Sequence, residues 1–305
     1  MPHDADAVRP PPAKLRLGDA EYELVVTRRT GVAVYSGIRG YLRIGPGIEA
    51  ELANHRLMQG HGFPVPRILA DGEHQGLPYM LEESFGAVTL GDRFDDERDR
   101  TGSISEEALS TYLAVLERYA RAQAALASRG GISAGDFRRL VGPDAAARLL
   151  PDLGTEILER FDRATATLAD VPLSLVHADL HGHNMCKRGV IDLEEVGWAP
   201  AGYDVATATF VSALCNGDLG EGPADQAFSG SQIDQASRLV DDIFSGAGLA
   251  RPSEHIEEFL LCRSIALCAK RHPDDELWAA RQHVLRFVLA TAGRGDRVAP
   301  MLRGR

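Results

Sequence analysis

Cysteine is scarce in this 305-residue chain, and what there is forms no metal or disulfide pattern. The four cysteines, Cys186, Cys215, Cys262 and Cys268, include no C-x-x-C pair. They read as reduced, mostly buried thiols of a cytosolic protein, not as a disulfide framework. No stretch of 18 apolar residues occurs, so no membrane-spanning helix is expected. Met1 to Lys14 is polar, holds Pro10, Pro11 and Pro12, and lacks the apolar centre of a signal peptide. Positive charge is in deficit as well: 33 Lys and Arg against 44 Asp and Glu leave a formal net charge of −11. Such a surface repels nucleic acid and anionic membranes and attracts cationic small molecules. No G-x-x-x-x-G-K-[ST] is present, which excludes a Walker-type phosphate loop.

What is present is an ordinary globular composition, 44% apolar and 25% charged, on a chain longer than one core usually fills. Two units are therefore expected. Alternation and turn signals predict strands over residues 15–29, 32–35, 40–44, 67–70 and 79–82. A helix is predicted over 48–59, with Ile48, Leu52, His55, Leu57 and Met58 inward. Beyond about residue 90 the pattern turns helical. Ser103 and Glu106 read as a capping box for a helix ending by Gly130-Gly131. Further helices are predicted over 149–169, from Asp204 as cap to Cys215, and over 231–244, 253–270 and 274–290. The expected class is α+β. Residues 1–84 form a small antiparallel-sheet lobe with one helix, residues 1–14 being loose. Residues 85–305 form a larger, mainly helical lobe.

One segment breaks the helical pattern. Leu173–Val176 is a short apolar run, followed by the polar cluster His177-Ala178-Asp179-Leu180-His181-Gly182-His183-Asn184. A Lys187-Arg188-Gly189 turn then leads into Val190-Ile191-Asp192. The spacing is H-x-D-x-x-x-x-N followed by V-I-D, the order of a kinase catalytic loop and its metal-binding aspartate. Phosphoryl transfer needs positioning and charge neutralisation more than covalent help. Asp179 is placed to accept the proton of an incoming hydroxyl. Asn184 and Asp192 supply the hard oxygens that Mg2+ prefers.

Residues 177–206 resemble the aminoglycoside phosphotransferase family of small-molecule kinases. The likeness extends to Tyr41-Leu42-Arg43-Ile44, to Glu51, to Gly62-Phe63-Pro64-Val65-Pro66-Arg67 and to Tyr79-Met80-Leu81-Glu82-Glu83, and covers most of residues 20–215. The resemblance implies a protein-kinase-like bilobal fold and transfer of the γ-phosphoryl group of ATP or GTP to a small-molecule hydroxyl. It gives Asp179 the role of base and makes Asn184 and Asp192 the Mg2+ ligands. Arg43 would contact phosphates and pair with Glu51. The backbone of Glu82, Glu83 and Ser84 would meet the base, and Thr30-Gly31 would lie over the phosphates. His177 would brace the loop, and Asp204 would cap its helix and tie it to the loop. The chain departs from the family's usual residues in carrying Arg43 for Lys and Ala178 for Gly, and its hairpin before Asp192 is short. The implied protein is cytoplasmic, a monomer or homodimer, with an antibiotic as its expected acceptor.

Asp218, Glu221, Asp225, Asp234, Asp241, Asp242, Glu254, Glu257 and Glu258 are expected either to wall a cationic acceptor or to form a solvated helix face. Two rival readings remain. His177, Asp179, His181 and His183 alternate, so on a strand they would share a face and could bind Zn2+ for hydrolysis. The fold could also serve as a non-catalytic pseudokinase.

Overall fold

The computed structural model describes residues 10–28, 30–127, 137–211, 228–270, 277–293 and 297–299. The predicted stops at Gly130-Gly131 and Cys215, the helix start at Asp274, and the acids Asp218, Glu221 and Asp225 lie outside the described residues. The architecture is α+β, as the sequence led us to expect. The chain divides into two compact units, Met1–Gly60 with Val65–Ala87, and His61–Pro64 with Val88–Arg305.

The first unit is a six-stranded antiparallel sheet, β1 (Lys14–Leu17), β2 (Ala20–Thr27), β3 (Ala33–Gly37), β4 (Gly40–Ile44), β5 (Ile68–His74) and β6 (Leu77–Glu82). The strand order is β1-β2-β3-β4-β6-β5. The expected loose start gives way before residue 14: the Ala13 carbonyl accepts the Leu24 N–H, and Lys14 opens β1. Period-2 alternation gives the sheet two apolar faces. Tyr22, Tyr35, Leu42 and Leu81 fill one. Val32, Val34 and Met80 form the other, against Ile48 and Leu52 of helix α1 (Ile48–Gly60). Gly40 is required where β4 meets β6: its φ is +137°, and a Cβ there would lie 1.9 Å from the Glu82 carbonyl oxygen.

Arg43 follows from the same alternation. It pairs in register with Val34 and Met80, so its side chain belongs to the α1 face. Glu82, two residues after Met80, shares that face. Glu51 and His55, one turn apart on α1, meet them. Arg43 lies 2.9 Å from both Glu51 and Glu82, and His55 Nε2 lies 3.1 Å from Glu82. All four are buried. His55 is thus fully enclosed and partnered, where its sequence context shows no partner. Leu57, predicted inward, is exposed.

In the second unit α2 (Leu90–Thr101), unforeseen in the sequence, begins with a capping box of Thr89 and Asp92 and ends at Gly102. Helix α3 (Glu106–Ala127) is capped by Ser105, whose Oγ accepts the Ala108 N–H, and not by Ser103. The Glu97 carboxylate reaches from α2 to accept the Ser105 N–H at 2.7 Å. Short helices α4 (Phe137–Val141) and α5 (Pro143–Leu149) precede α6 (Gly154–Thr167). Strand β7 (Leu173–Val176) pairs with β10 (Gly197–Pro200), and β8 (Met185–Cys186) with β9 (Gly189–Val190). Then come α7 (Tyr203–Thr207), α8 (Gly230–Gly246), α9 (Ile256–Ala269) and α10 (Trp278–Gly293). Helix α9 is buried almost all round, as a central core helix should be. No helix among the described residues is long and apolar enough to cross a membrane.

Two substitutions probe these buried acids. The Ser105 N–H and Arg93 pull the Glu97 carboxyl down to about 2 from its ordinary 4.5. Its contribution is therefore complete above pH 4.5 and is lost as pH falls through 2. Glu97→Gln should cost about 1–2 kcal/mol near neutral pH. The gap in thermal melting between this variant and the parent should close in acid. Glu82→Ala, which strips a buried partner from Arg43 and His55, should cost about 3–5 kcal/mol in urea unfolding.

Candidate active site

Strand β7 delivers the polar loop. Its edge is clamped to α3 by the buried Gln123 side chain, which donates to the Leu175 carbonyl at 3.1 Å and accepts the Gly202 N–H at 3.0 Å. Where β7 ends, the His177 N–H meets the Tyr119 hydroxyl at 2.8 Å and Asp204 Oδ2. Tyr119 donates to the same carboxylate oxygen at 3.0 Å, and Ala178 N–H approaches it at 3.4 Å. Burial raises the Asp204 carboxyl above its ordinary value, opposed by the Arg263 charge and these hydrogen bonds. Asp204 is thus a buried anchor for the loop. The cap of α7 is Gly202, at φ +98°, so the expected capping role of Asp204 is corrected.

The His177 ring braces the loop from within. Its Nδ1 accepts the Asp179 N–H at 3.3 Å, which leaves the proton on Nε2, facing the Ile191 carbonyl at 2.7 Å. The Ile191 N–H in turn donates to the Asn184 carbonyl at 2.9 Å. The β8–β9 hairpin thereby returns Asp192 beside the loop. Two residues there adopt left-handed backbone without being glycine: Ala178 at φ +66° and Asp192 at φ +69°. Each such residue costs about 1–2 kcal/mol, which surrounding contacts must offset.

Asp179 projects from this frame with its side chain 41% exposed. Arg263 Nη2 donates to its Oδ1 at 3.0 Å. Asn184 Nδ2 lies 2.8 Å from the Asp179 carbonyl and 3.4 Å from Oδ2, and His181 Nε2 lies 3.5 Å from Oδ2. Burial would raise the Asp179 carboxyl, but His181, Arg263 and Lys270 outweigh it and hold the group far below the usual carboxylate range. Asp179 is therefore ionised. Because the Asn184 amide nitrogen faces Asp179, its oxygen is turned away from that carboxylate. An amide oxygen such as that of Asn184 and a carboxylate such as that of Asp192 are hard donors of the kind Mg2+ takes.

Asp179 also lines a cavity of about 730 Å³ within the second unit, with His181, His183, Phe94, Phe228 and Lys270 in its wall. His183 lies 3.4 Å from both Asp92 and Asp95 of α2. The loop and α2 approach so closely that a Cβ on Gly91 would come within 2.5 Å of His183. The described members of the expected acidic wall lie elsewhere. Asp241 accepts the Ser253 N–H at 3.0 Å, and Glu257 accepts the Val298 N–H at 2.6 Å. The cavity's acids are instead Asp95, Asp99, Asp179 and Glu195, and Arg98, Lys270 and Arg281 also line it.

The remaining sequence candidates fall in the first unit. Arg43, Glu51 and Glu82 come together in the buried network, and Arg28 reaches Glu51 at 3.3 Å. Thr30 and Gly31 are exposed on the β2–β3 turn, closed by the Gly31 N–H to the Arg28 carbonyl at 3.0 Å. Glu83 holds the Arg67 N–H at 3.1 Å, and Ser84 caps the Gly86 N–H at 3.1 Å. Among the described residues no group of three or more His, Cys, Asp or Glu could hold a metal, and the His177 ring is turned to the backbone. Sequence reasoning missed Arg263, Lys270 and Tyr119. The one available signal was a single charge in the apolar run Phe259–Cys268, which must find a partner once buried.

Comparison with known proteins agrees with this picture. No curated protein matches the sequence. Among solved structures, a choline/ethanolamine kinase family protein from Mesorhizobium loti superposes with a TM-score of 0.57 at 15% identity, over 92% of each chain. The aminoglycoside phosphotransferase APH(3'')-Id from Streptomyces rimosus gives 0.50 at 19% identity, over 80% of this chain and 92% of its own. The amicoumacin kinase hAmiN, solved with AMP-PNP and Ca2+, gives 0.50 at 13% identity, over 93% of this chain and 88% of its own. These likenesses show the protein-kinase-like fold. The family profile described as "APH: Phosphotransferase enzyme family" matches residues 42–243, two thirds of the sequence, and the chain belongs to that family.

Proposed function

We propose that the protein transfers the γ-phosphoryl group of ATP or GTP to a hydroxyl of a small molecule, with an antibiotic-type compound as acceptor. One observation carries the reading. The ionised, half-open Asp179 carboxylate is gripped by Arg263, with Asn184 bonded to the residue's carbonyl, and it lines a cavity sized for a small molecule. An acceptor hydroxyl there would donate to Asp179. That carboxylate would orient the hydroxyl and accept its proton as the phosphoryl group is transferred.

Asn184 and Asp192 would hold Mg2+, whose charge would offset that of the triphosphate. Arg43, fixed by Glu51 and Glu82, is the proposed phosphate contact of the sheet unit, with Thr30-Gly31 above the phosphates. The backbone of Glu82, Glu83 and Ser84 would meet the base. The nucleotide analogue and divalent cation bound to the amicoumacin kinase support a donor of this class. The cavity carries both charge signs over an aromatic floor, so it suits a polar acceptor. An amine on that acceptor would pair with Asp95 or Asp99.

A panel of hydroxylated compounds should reveal acceptor-dependent release of ADP or GDP. In that assay Asp179→Ala should lower kcat about 10²–10⁴-fold while nucleotide affinity, measured by calorimetry, stays nearly unchanged. Turnover close to the parent's in this variant would overturn the assignment.

A further inference from the structure

Helix α9 lies more than 70 residues beyond the loop, yet its polar atoms meet the loop directly. Arg263, 1% exposed, sends Nη1 to the Ala178 carbonyl and Nη2 to Asp179 Oδ1. Lys270, seven residues on and therefore on the same helical face, donates to the same Ala178 carbonyl at 3.4 Å and pairs with Glu195. The residue receiving both cations is the left-handed Ala178, whose peptide sets the direction in which Asp179 leaves the loop. No other described contact fixes the Asp179 carboxylate with a guanidinium. Asn184 and His181 approach only its other oxygen, at 3.4 and 3.5 Å.

We propose that Arg263 is a positioning residue for phosphoryl transfer: its two-pronged grip on the Ala178 carbonyl and Asp179 Oδ1 sets the carboxylate's aim into the cavity. The proposal rests on Asp179 as the acceptor-orienting group. It assigns Arg263 no contact with nucleotide or acceptor. The fork geometry is essential, because two acceptors on successive residues need two donors at fixed spacing. A lysine supplies the same charge from a single nitrogen and cannot reproduce the two bonds at the guanidinium's fixed spacing. Mis-aim of about 1 Å costs on the order of 10²-fold in rate, so the effect should appear in kcat.

The test compares Arg263→Lys and Arg263→Met with the parent and with Asp179→Ala, in one acceptor-dependent assay, with calorimetric nucleotide affinity and thermal melting alongside. Arg263→Lys keeps the buried charge and should remain folded, with kcat down about tenfold or more and nucleotide affinity within twofold. Arg263→Met should lose more kcat. Should Arg263→Met fail to fold, the lysine variant alone decides. Folded Arg263→Lys with parental kcat overturns the proposal. So does a loss of kcat matched by an equal loss of nucleotide affinity or of folded protein, which marks a purely structural arginine. If Asp179→Ala retains parental turnover, the functional assignment itself falls, whatever the Arg263 variants do.

Discussion

A single buried carboxylate organises the chemistry-bearing part of the chain. Asp204 Oδ2 takes hydrogen bonds from the Tyr119 hydroxyl and the His177 N–H, with the Ala178 N–H at the edge of range. Burying a carboxyl group is costly unless it is hydrogen-bonded. Here the donors come from α3 and from the loop itself, so satisfying Asp204 draws those elements into one arrangement. Any packing that displaced the loop would strip this buried carboxyl of its hydrogen-bond partners. The strained backbone at Ala178 persists because it is tied at its N–H by Asp204 and at its carbonyl by Arg263 and Lys270.

Both units adopt the same solution to a buried cation. In the sheet unit the Arg43 guanidinium sits between Glu51 and Glu82, and His55 covers the outer oxygen of Glu82. In the helical unit Arg263 is bonded to Asp179, and its charge also acts on Asp204. A guanidinium offers several donors in a rigid fork and always carries its charge, so it can serve two acceptors at once. Such arrangements add little net stability over apolar packing. They penalise every alternative that leaves one member unpaired. An arginine at position 43 fits this setting, since its planar fork reaches Glu51 and Glu82 at once.

Legibility in the sequence follows contact range. The H-x-D-x-x-x-x-N spacing could be read because His177, Asp179 and Asn184 hydrogen-bond within eight residues of one another. The β8–β9 hairpin was readable from its Lys187-Arg188-Gly189 turn. Strand β4 and helix α1 were readable from alternation and from the break at Gly45-Pro46-Gly47. Helix α2 was missed because it is rich in charge and its apolar positions are few, leaving Thr89 and Asp92 as its main signal. Ser103 has the capping-box spacing to Glu106, yet the Ser105 carbonyl opens the helix by accepting the Leu109 N–H, which residue spacing alone does not decide.

The sequence by itself determined the class of fold, the order of the first unit's strands and helix, and the identity of the polar loop, because periodicity and turn chemistry act between near neighbours. Tertiary structure alone decided that Arg263 meets Asp179 across 84 residues and Tyr119 meets Asp204 across 85. It also decided that His55 is enclosed and that the cavity's charges come from α2, Glu195, Lys270 and Arg281, not from α8 and α9 acids. Such pairings arise when separate helices and strands pack. They leave no spacing in the chain, only a charge in an apolar run whose partner the fold must supply.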